Sequence, residues 1–274
     1  VSEFDISIFT ISQATTTLLQ DLYIQKTSLV FIQKGHKTLY LTKGETLCGK
    51  AGDIIIFPPD SIATMENRTW YNTDYQAIGL TFSHDIIKHV FPDPLPPSAP
   101  QKAEILSPRP EETVHILAAI QQTVANDQLP DIVRKHRLME PILWLKALGI
   151  TLSVPRDQSA LGQVRALIET DLTYAWRAAD VAKHFAMSEA TLRRWLLKSD
   201  MNFSKILKNA RLEKALALLQ TTNIPISEIA LSCGFKTPSH FSDSFKNRFK
   251  VQPTAIRSPE NDRIPIEIDG MPEA

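Results

Sequence analysis

Cysteine is scarce in this chain: 274 residues carry two, Cys48 and Cys233, far apart and without metal-type spacing. That excludes a disulfide framework, and two free thiols fit a reducing compartment. Long apolar runs are missing too. None approaches the roughly 18 residues of a membrane span, and the start lacks the basic-then-apolar pattern of a secretory signal. A cytoplasmic protein with no membrane partner is the expectation. Glycine is sparse, at nine residues, and builds no phosphate-cradling loop or Walker-type motif; no Ser/His/Asp arrangement is visible either. The seven histidines are scattered: residues 28–83 hold His36 alone, with no His-x-His pair. His84 and His89, five apart, do not share a helix face. No catalytic machinery, metal or cofactor is expected.

Net charge is zero overall, with 30 Lys/Arg against 30 Asp/Glu, but it is unevenly spread. Residues 1–159 hold 14 basic and 17 acidic side chains, a balance of −3. Residues 160–258 hold 15 and 8, or +7, and residues 259–274 hold 1 and 5, or −4. A basic segment inside a neutral chain is the footprint of a module that meets phosphate, although a solvated basic face gives the same count.

The patterning predicts an α+β protein of two domains. Ser28–Gln33, Thr38–Thr42, Asp53–Phe57 and Tyr75–Phe82 are short, rich in Val, Ile, Leu and Phe, and separated by turn residues, which predicts a small sandwich or barrel over about 28–83. Prolines at 92, 94, 96, 97 and 100 mark a connector. Helices follow over about Glu111–Asn126 and Asp131–Leu152, the second kinked or restarted at Pro141. Its stripe of Leu138, Ile142, Leu145 and Leu148 suits either an internal core or the seam of a homodimer. Domain bounds are placed at 1–153 and 161–258, with a polar linker at 154–160 and a disordered tail at 259–274.

Between 161 and about Lys250 the pattern is wholly helical and contains one layout twice. Ala179–Phe185 forms a short helix, Met187-Ser188 a turn with Ser188 as N-cap, and a second helix turns Leu192 and Leu196 inward and Arg193, Arg194 and Lys198 outward. The second copy runs from Ile226 through Ala230, turns at Cys233-Gly234-Phe235, and restarts at Lys236 with Thr237 as cap and Pro238 at the first helical position. Phe241, Phe245 and Phe249 make its core stripe. Between the copies, Ser204–Gln220 is a strongly apolar helix about 26 Å long. Such a strut suits two reading helices set near the ~34 Å spacing of successive major grooves. Trp176 and Trp195 read as helix-packing residues rather than base-stacking ones. Cys233 reads as a small buried residue at a helix crossing rather than a redox switch.

Residues 165–257 closely resemble the AraC/XylS transcription regulators. The likeness rests on Ala179–Phe185, Met187–Leu196, Ala210–Leu219 and, above all, Ile229-Ala230, Cys233-Gly234-Phe235, Phe241, Phe245-Lys246, Phe249 and Pro253. Trp176-Arg177, Thr191–Arg194 and Leu218–Thr222 are similar to the enteric virulence and acid-response subgroup. The resemblance implies a cupin-like N-terminal β-barrel with helices, and a C-terminal all-α domain of two helix-turn-helix units joined by a linker helix. It implies a cytoplasmic activator that binds double-stranded DNA and contacts RNA polymerase. Carried over by position, the base-reading residues fall on Ala190, Thr191, Arg193 and Arg194, then on Ser239, His240 and Asp243; Lys198, Lys236 and Lys246 complete the expected DNA-binding set. Asp243 departs from the commoner arginine, and an acidic side chain there accepts from cytosine but repels phosphate.

Fatty-acid-binding members of the family suggest an apolar effector in the barrel, here lined by Leu22, Ile24, Leu29, Phe31, Ile54, Ile56 and Phe57, residues that a packed core explains equally well. The contact lysine of those members falls on Ser28, with Lys26 two residues earlier on the same face if that segment is extended. Two rival classes remain: an interaction protein or anti-activator that keeps the fold without binding DNA, and a metal-dependent cupin enzyme.

Overall fold

The computed structural model describes residues 6–41, 44–69, 73–92, 102–108, 110–126, 128–152, 159–197, 199 and 201–257. Thr42, the 154–158 part of the expected linker, most of the proline-rich connector and the tail beyond 257 lie outside these residues. The chain divides into two units, meeting in sequence between Val154 and Pro155.

In the first unit, nine strands among the described residues pair antiparallel into two sheets. One orders β1 (Ile6–Gln13), β8 (Tyr75–Phe82), β3 (Thr27–Lys34), β6 (Ile54–Phe57) and β9 (Glu104–Leu106). The other orders β2 (Thr17–Ile24), β7 (Ser61–Arg68), β4 (His36–Tyr40) and β5 (Thr46–Lys50). Strand β3 is central: Leu29 lies opposite Leu80 and Ile56, and Phe31 opposite Ile78 and Ile54. Both faces of this strand are buried, so it reads as a continuous apolar run without alternation.

The two faces meet different partners. Leu29, Phe31, Ile54, Ile56, Ile78 and Leu80 pack with residues of three helices, α1 (His84–Val90), α2 (Pro110–Ala125) and α3 (Asp131–Ala147). Ile32 points the other way, toward β5, where a Cβ on Gly49 would come within 2.9 Å of its Cδ1. Helix α3 runs without interruption through Pro141 and stops at Gly149, five residues before the unit ends. The amides of Gly149 and Ile150 donate to the carbonyls of Lys146 and Leu145, a Schellman close that needs the left-handed φ of Gly149.

Strands β1, β2, β5, β7 and β9 and helix α1 were not expected from the pattern, so the sheets begin at Ile6 rather than Ser28. Most of β1 and β7 is only half-buried and carries Ser, Thr, Gln and Asn among its apolar residues, which dilutes the alternation.

One buried group is chemically out of place. Lys37, on β4 between half-buried His36 and Thr38, is 1% exposed. Its ammonium donates to the side-chain oxygen of Asn67, sits 3.3 Å from the Met65 sulfur and lies over the Tyr75 ring. Asn67 in turn donates to Gln13 at 3.0 Å. These partners are neutral, and burial pushes the Lys37 pKa down to about 7.

The second unit holds α4 (Ala160–Glu169), α5 (Ala178–His184), α6 (Glu189–Leu197), α7 (Phe203–Thr221), α8 (Ile226–Ser232), α9 (Pro238–Phe249) and α10 (Pro253–Ile256). Helix α7 forms its axis, with Ile206, Ala210, Leu212, Ala215, Leu216 and Leu219 buried. A buried ion cluster ties three helices together: Glu213 of α7 pairs with Arg165 of α4 at 2.7 Å and Arg248 of α9 at 2.5 Å, and Arg165 also holds Glu169.

The Lys37 environment gives a pH dependence with a definite sign. An unfolded lysine binds its proton up to about pH 10.5, the folded one only to about 7, so stability rises with pH across that interval. The full difference is at most about 5 kcal/mol at 1.36 kcal/mol per pKa unit. Urea unfolding of Lys37→Met should show a flatter rise between pH 7 and 10 than the parent chain. Parallel curves would show that Lys37 keeps an ordinary pKa in the folded state.

Candidate nucleic-acid interface

The two repeated layouts fold into the same backbone turn. After α5, the amides of Ala186 and Met187 donate to the carbonyls of Lys183 and Ala182. After α8, those of Gly234 and Phe235 donate to Leu231 and Ala230. Each is a Schellman close, and each places one residue in the left-handed region: Ala186 at φ 51° and Gly234 at φ 79°. Small Ala182 and Ala230, whose carbonyls accept the wider-spanning bond of each close, are both buried.

A capped helix follows each turn. The Ser188 hydroxyl accepts from the Thr191 amide at 3.1 Å, and the Thr237 hydroxyl from the His240 amide at 3.2 Å, with Pro238 in the first turn. Helix α6 buries Leu192 and Leu196; Ala190, Arg193 and Arg194 are exposed and Thr191 is half-buried. The Arg194 guanidinium lies 3.4 Å from the Thr191 hydroxyl, and the two share a shallow cavity of about 370 Å³ with Met187 and Trp195. Helix α9 buries Phe241, Phe245 and Phe249, whose rings tilt against one another at centroid distances of 5.5 and 4.6 Å. Lys236, Ser239, His240, Asp243 and Lys246 are exposed around it. Lys198 lies outside the described residues.

The aromatic and thiol groups have packing partners. Trp195 meets Phe185 edge-on at 5.3 Å; Trp176 meets Tyr174 at 4.8 Å and donates to the Asp171 carbonyl. Cys233 is fully buried, and burial pushes its thiol up to about 11, away from the reactive thiolate.

One residue given no role by the sequence, Arg211, positions this surface together with Gly234 of the second turn. Arg211, on α7, donates to the carbonyls of Leu172 and Tyr174, both at 2.9 Å. Gly234 presses on the same loop: a Cβ there would stand 2.1 Å from the Leu172 carbonyl oxygen and 2.8 Å from Arg211. The turn of the second layout is thus seated on the segment leading into the first. Glu213 and Arg165 were missed as well, because partners 48 positions apart leave no local pattern.

The structure redistributes the other candidate residues. Phe31, Ile54 and Ile56 are buried in the face of the five-stranded sheet that meets the helices. Ser28 alternates to the opposite face, and its hydroxyl donates to the Lys26 carbonyl at 2.9 Å. Lys26 is not on a strand: it occupies the bend between β2 and β3, so no shared strand face aligns it with Ser28. The stripe offered for a homodimer is core. Leu138, Ile142 and Leu145 are buried within their own unit, and Leu148 alone of the four is exposed. Among the described residues no three His, Cys, Asp or Glu converge as metal ligands, and no helix is long and apolar enough to cross a membrane.

Residues 181–258 match the model of a helix-turn-helix domain family. The chain is 39% identical over 94 residues to the transcriptional regulator SirC of Salmonella typhimurium, covering 34% of this chain and 32% of that one. It is 38% identical over 91 residues to the HTH-type transcriptional activator CsvR of Escherichia coli, covering 33% and 34%. The match therefore spans about a third of these relatives' length. A larger likeness is structural: an apo lysine-to-alanine variant of ToxT from Vibrio cholerae superposes with a TM-score of 0.68 at 17% identity, over 93% of this chain and 96% of that one. Wild-type ToxT solved with an unsaturated fatty acid gives 0.65 at 17%, over 91% and 93%. At this identity the likeness establishes the fold, an N-terminal two-sheet unit followed by a helical one.

The two turns predict opposite responses to exchanging one methyl group. Ala186→Gly relieves a left-handed alanine at the cost of a more flexible unfolded chain, and should stabilise the second unit by about 0.5–1 kcal/mol. Gly234→Ala incurs the same strain and also collides with the Leu172 carbonyl, so it should destabilise by about 3 kcal/mol or more. Thermal unfolding that moves both variants the same way would refute this assignment.

Proposed function

We propose that this chain, which carries an AraC-type helix-turn-helix domain over residues 181–258, is a sequence-specific DNA-binding transcription regulator. One observation carries the reading: the +7 segment contains two identically closed turns, each followed by a capped helix with polar side chains exposed. Capped N-termini direct unpaired amides and the positive end of the helix dipole outward, which favours approach to phosphate. On α6, Arg193 and Arg194 pair with base edges in one major groove, with Ala190 and Thr191 small enough to allow close approach. On α9, Ser239, His240 and Asp243 face the next groove, and Lys236, Lys246 and Lys198 neutralise phosphates. Asp243 narrows what the second helix accepts rather than adding affinity.

The reading extends to an activator that works in the cytoplasm and contacts RNA polymerase, in line with the relatives named as activators. The N-terminal unit is then the seat of a small apolar effector, a role supported by the fatty acid held in ToxT, which shares its fold.

Two variants test the assignment in a gel-shift titrated with salt. Arg194→Ala should cost about 1–3 kcal/mol on the specific site and relax preference at one base pair. Lys246→Ala should weaken all sequences alike and reduce the slope of log affinity against log salt by about 0.9. A parent chain with no salt-dependent DNA binding would favour the interaction-protein reading that Asp243 suggests.

A further inference from the structure

A recess lies over the helix-facing side of β3 and β6, its floor of Leu29, Phe31 and Ile54 buried and its rim at Trp144 and Leu148 exposed. A cavity of about 340 Å³ opens there, with Leu29, Phe31 and Ile54 on its sheet side and Leu145, Leu148 and Ile150 on its helix side. Small-molecule pockets run from about 300 to 1,000 Å³, so this one suits a single medium-chain or bicyclic molecule. Its chemistry is narrow. None of the described lining side chains is ionisable; a hydroxyl at Ser107 and the indole of exposed Trp144 are their polar groups. Lys146, next to Leu145 in sequence, is committed to the Val90 carbonyl at 2.5 Å and the Phe91 ring. A carboxylate in this cavity would lose its hydration with no cation among the described residues to replace it.

We infer that this cavity binds a neutral, apolar small molecule whose single polar group hydrogen-bonds to Ser107. The site is separate from the Ser28 face, which lies across the sheet. Its helix wall is also mechanically placed. Leu145 and Ile150 are the two ends of the bond that closes α3, and Leu148 is the cap between them. A ligand wedged between these residues and the sheet therefore holds the last turn of α3, just before the chain passes into the DNA-binding unit. The link to DNA rests on the proposed sensor role of the first unit; the binding itself does not.

Calorimetric titration of the full chain with decan-1-ol and with decanoate tests the site, since the two share a chain and differ in charge. Decan-1-ol should bind and raise the melting temperature, with decanoate at least tenfold weaker. Ile116→Phe, which fills the cavity, should reduce decan-1-ol binding at least tenfold; if that variant unfolds, Leu148→Trp at the exposed rim gives the same reading. Ser107→Ala should weaken the alcohol severalfold. No decan-1-ol binding, equal or tighter decanoate binding, or folded filling variants that bind like the parent would overturn the inference. Decan-1-ol binding that leaves DNA affinity unchanged would support the site and remove the effector role; failure to bind leaves the DNA-binding reading standing.

Discussion

The second unit depends on what α7 holds on either side. Glu213 carries one carboxylate into a nearly dry position and finds two guanidiniums there, Arg165 from α4 and Arg248 from α9. Burial pushes the Glu213 pKa up, and the two arginines pull against it. Such a cluster adds little net stability over well-packed apolar residues, but removing one member leaves uncompensated buried charge, typically about 3–5 kcal/mol. It therefore acts as a register device: the helices fit together in the arrangement that brings three charged groups into contact. Two residues earlier, and so on a different side of the helix, Arg211 grips the loop before α5. One helix thus fixes the loop leading into α5 through Arg211 and the body of α9 through Glu213.

The first unit solves a different problem with a five-stranded sheet buried on both sides. Its helix-facing side is apolar and leaves a cavity; its other side meets the second sheet, and a lysine lies buried in the unit with only neutral partners. A domain built purely for stability would fill the first and replace the second, because each costs free energy that packing could recover. Retaining both fits a unit whose stability responds to what it binds. The regulatory role proposed for it follows from that responsiveness more than from any single residue.

The turns and caps of the second unit were legible because their chemistry is local: Ser188, Thr237, Pro238 and Gly234 each satisfy a need within four residues. The Phe241, Phe245 and Phe249 stripe was legible for the same reason. Elsewhere the signal was ambiguous or non-local. The α3 stripe has the same periodicity whether it meets a second copy or its own sheet, and here it meets the sheet. Lys37 alternates with buried Leu39 along β4, which was a usable clue to its inward direction, but its partners Asn67 and Tyr75 come from strands 30 or more residues away. Ser28 and Phe31 were grouped as one lining although period-two geometry sends them to opposite faces. Ala186 carried no sign of its left-handed backbone, because alanine rarely adopts it.

The central claim is that α7, about 28 Å long over its 19 residues, holds both reading helices as one rigid reader. Operator spacing tests this directly, once a bound site has been footprinted. Inserting about five base pairs, half a helical turn, between the two contacted segments rotates one groove to the far side of the duplex. The account predicts that affinity falls to the level of non-specific DNA and that protection of the second segment is lost. Unchanged affinity with both segments still protected would contradict a rigid reader and separate the two units mechanically.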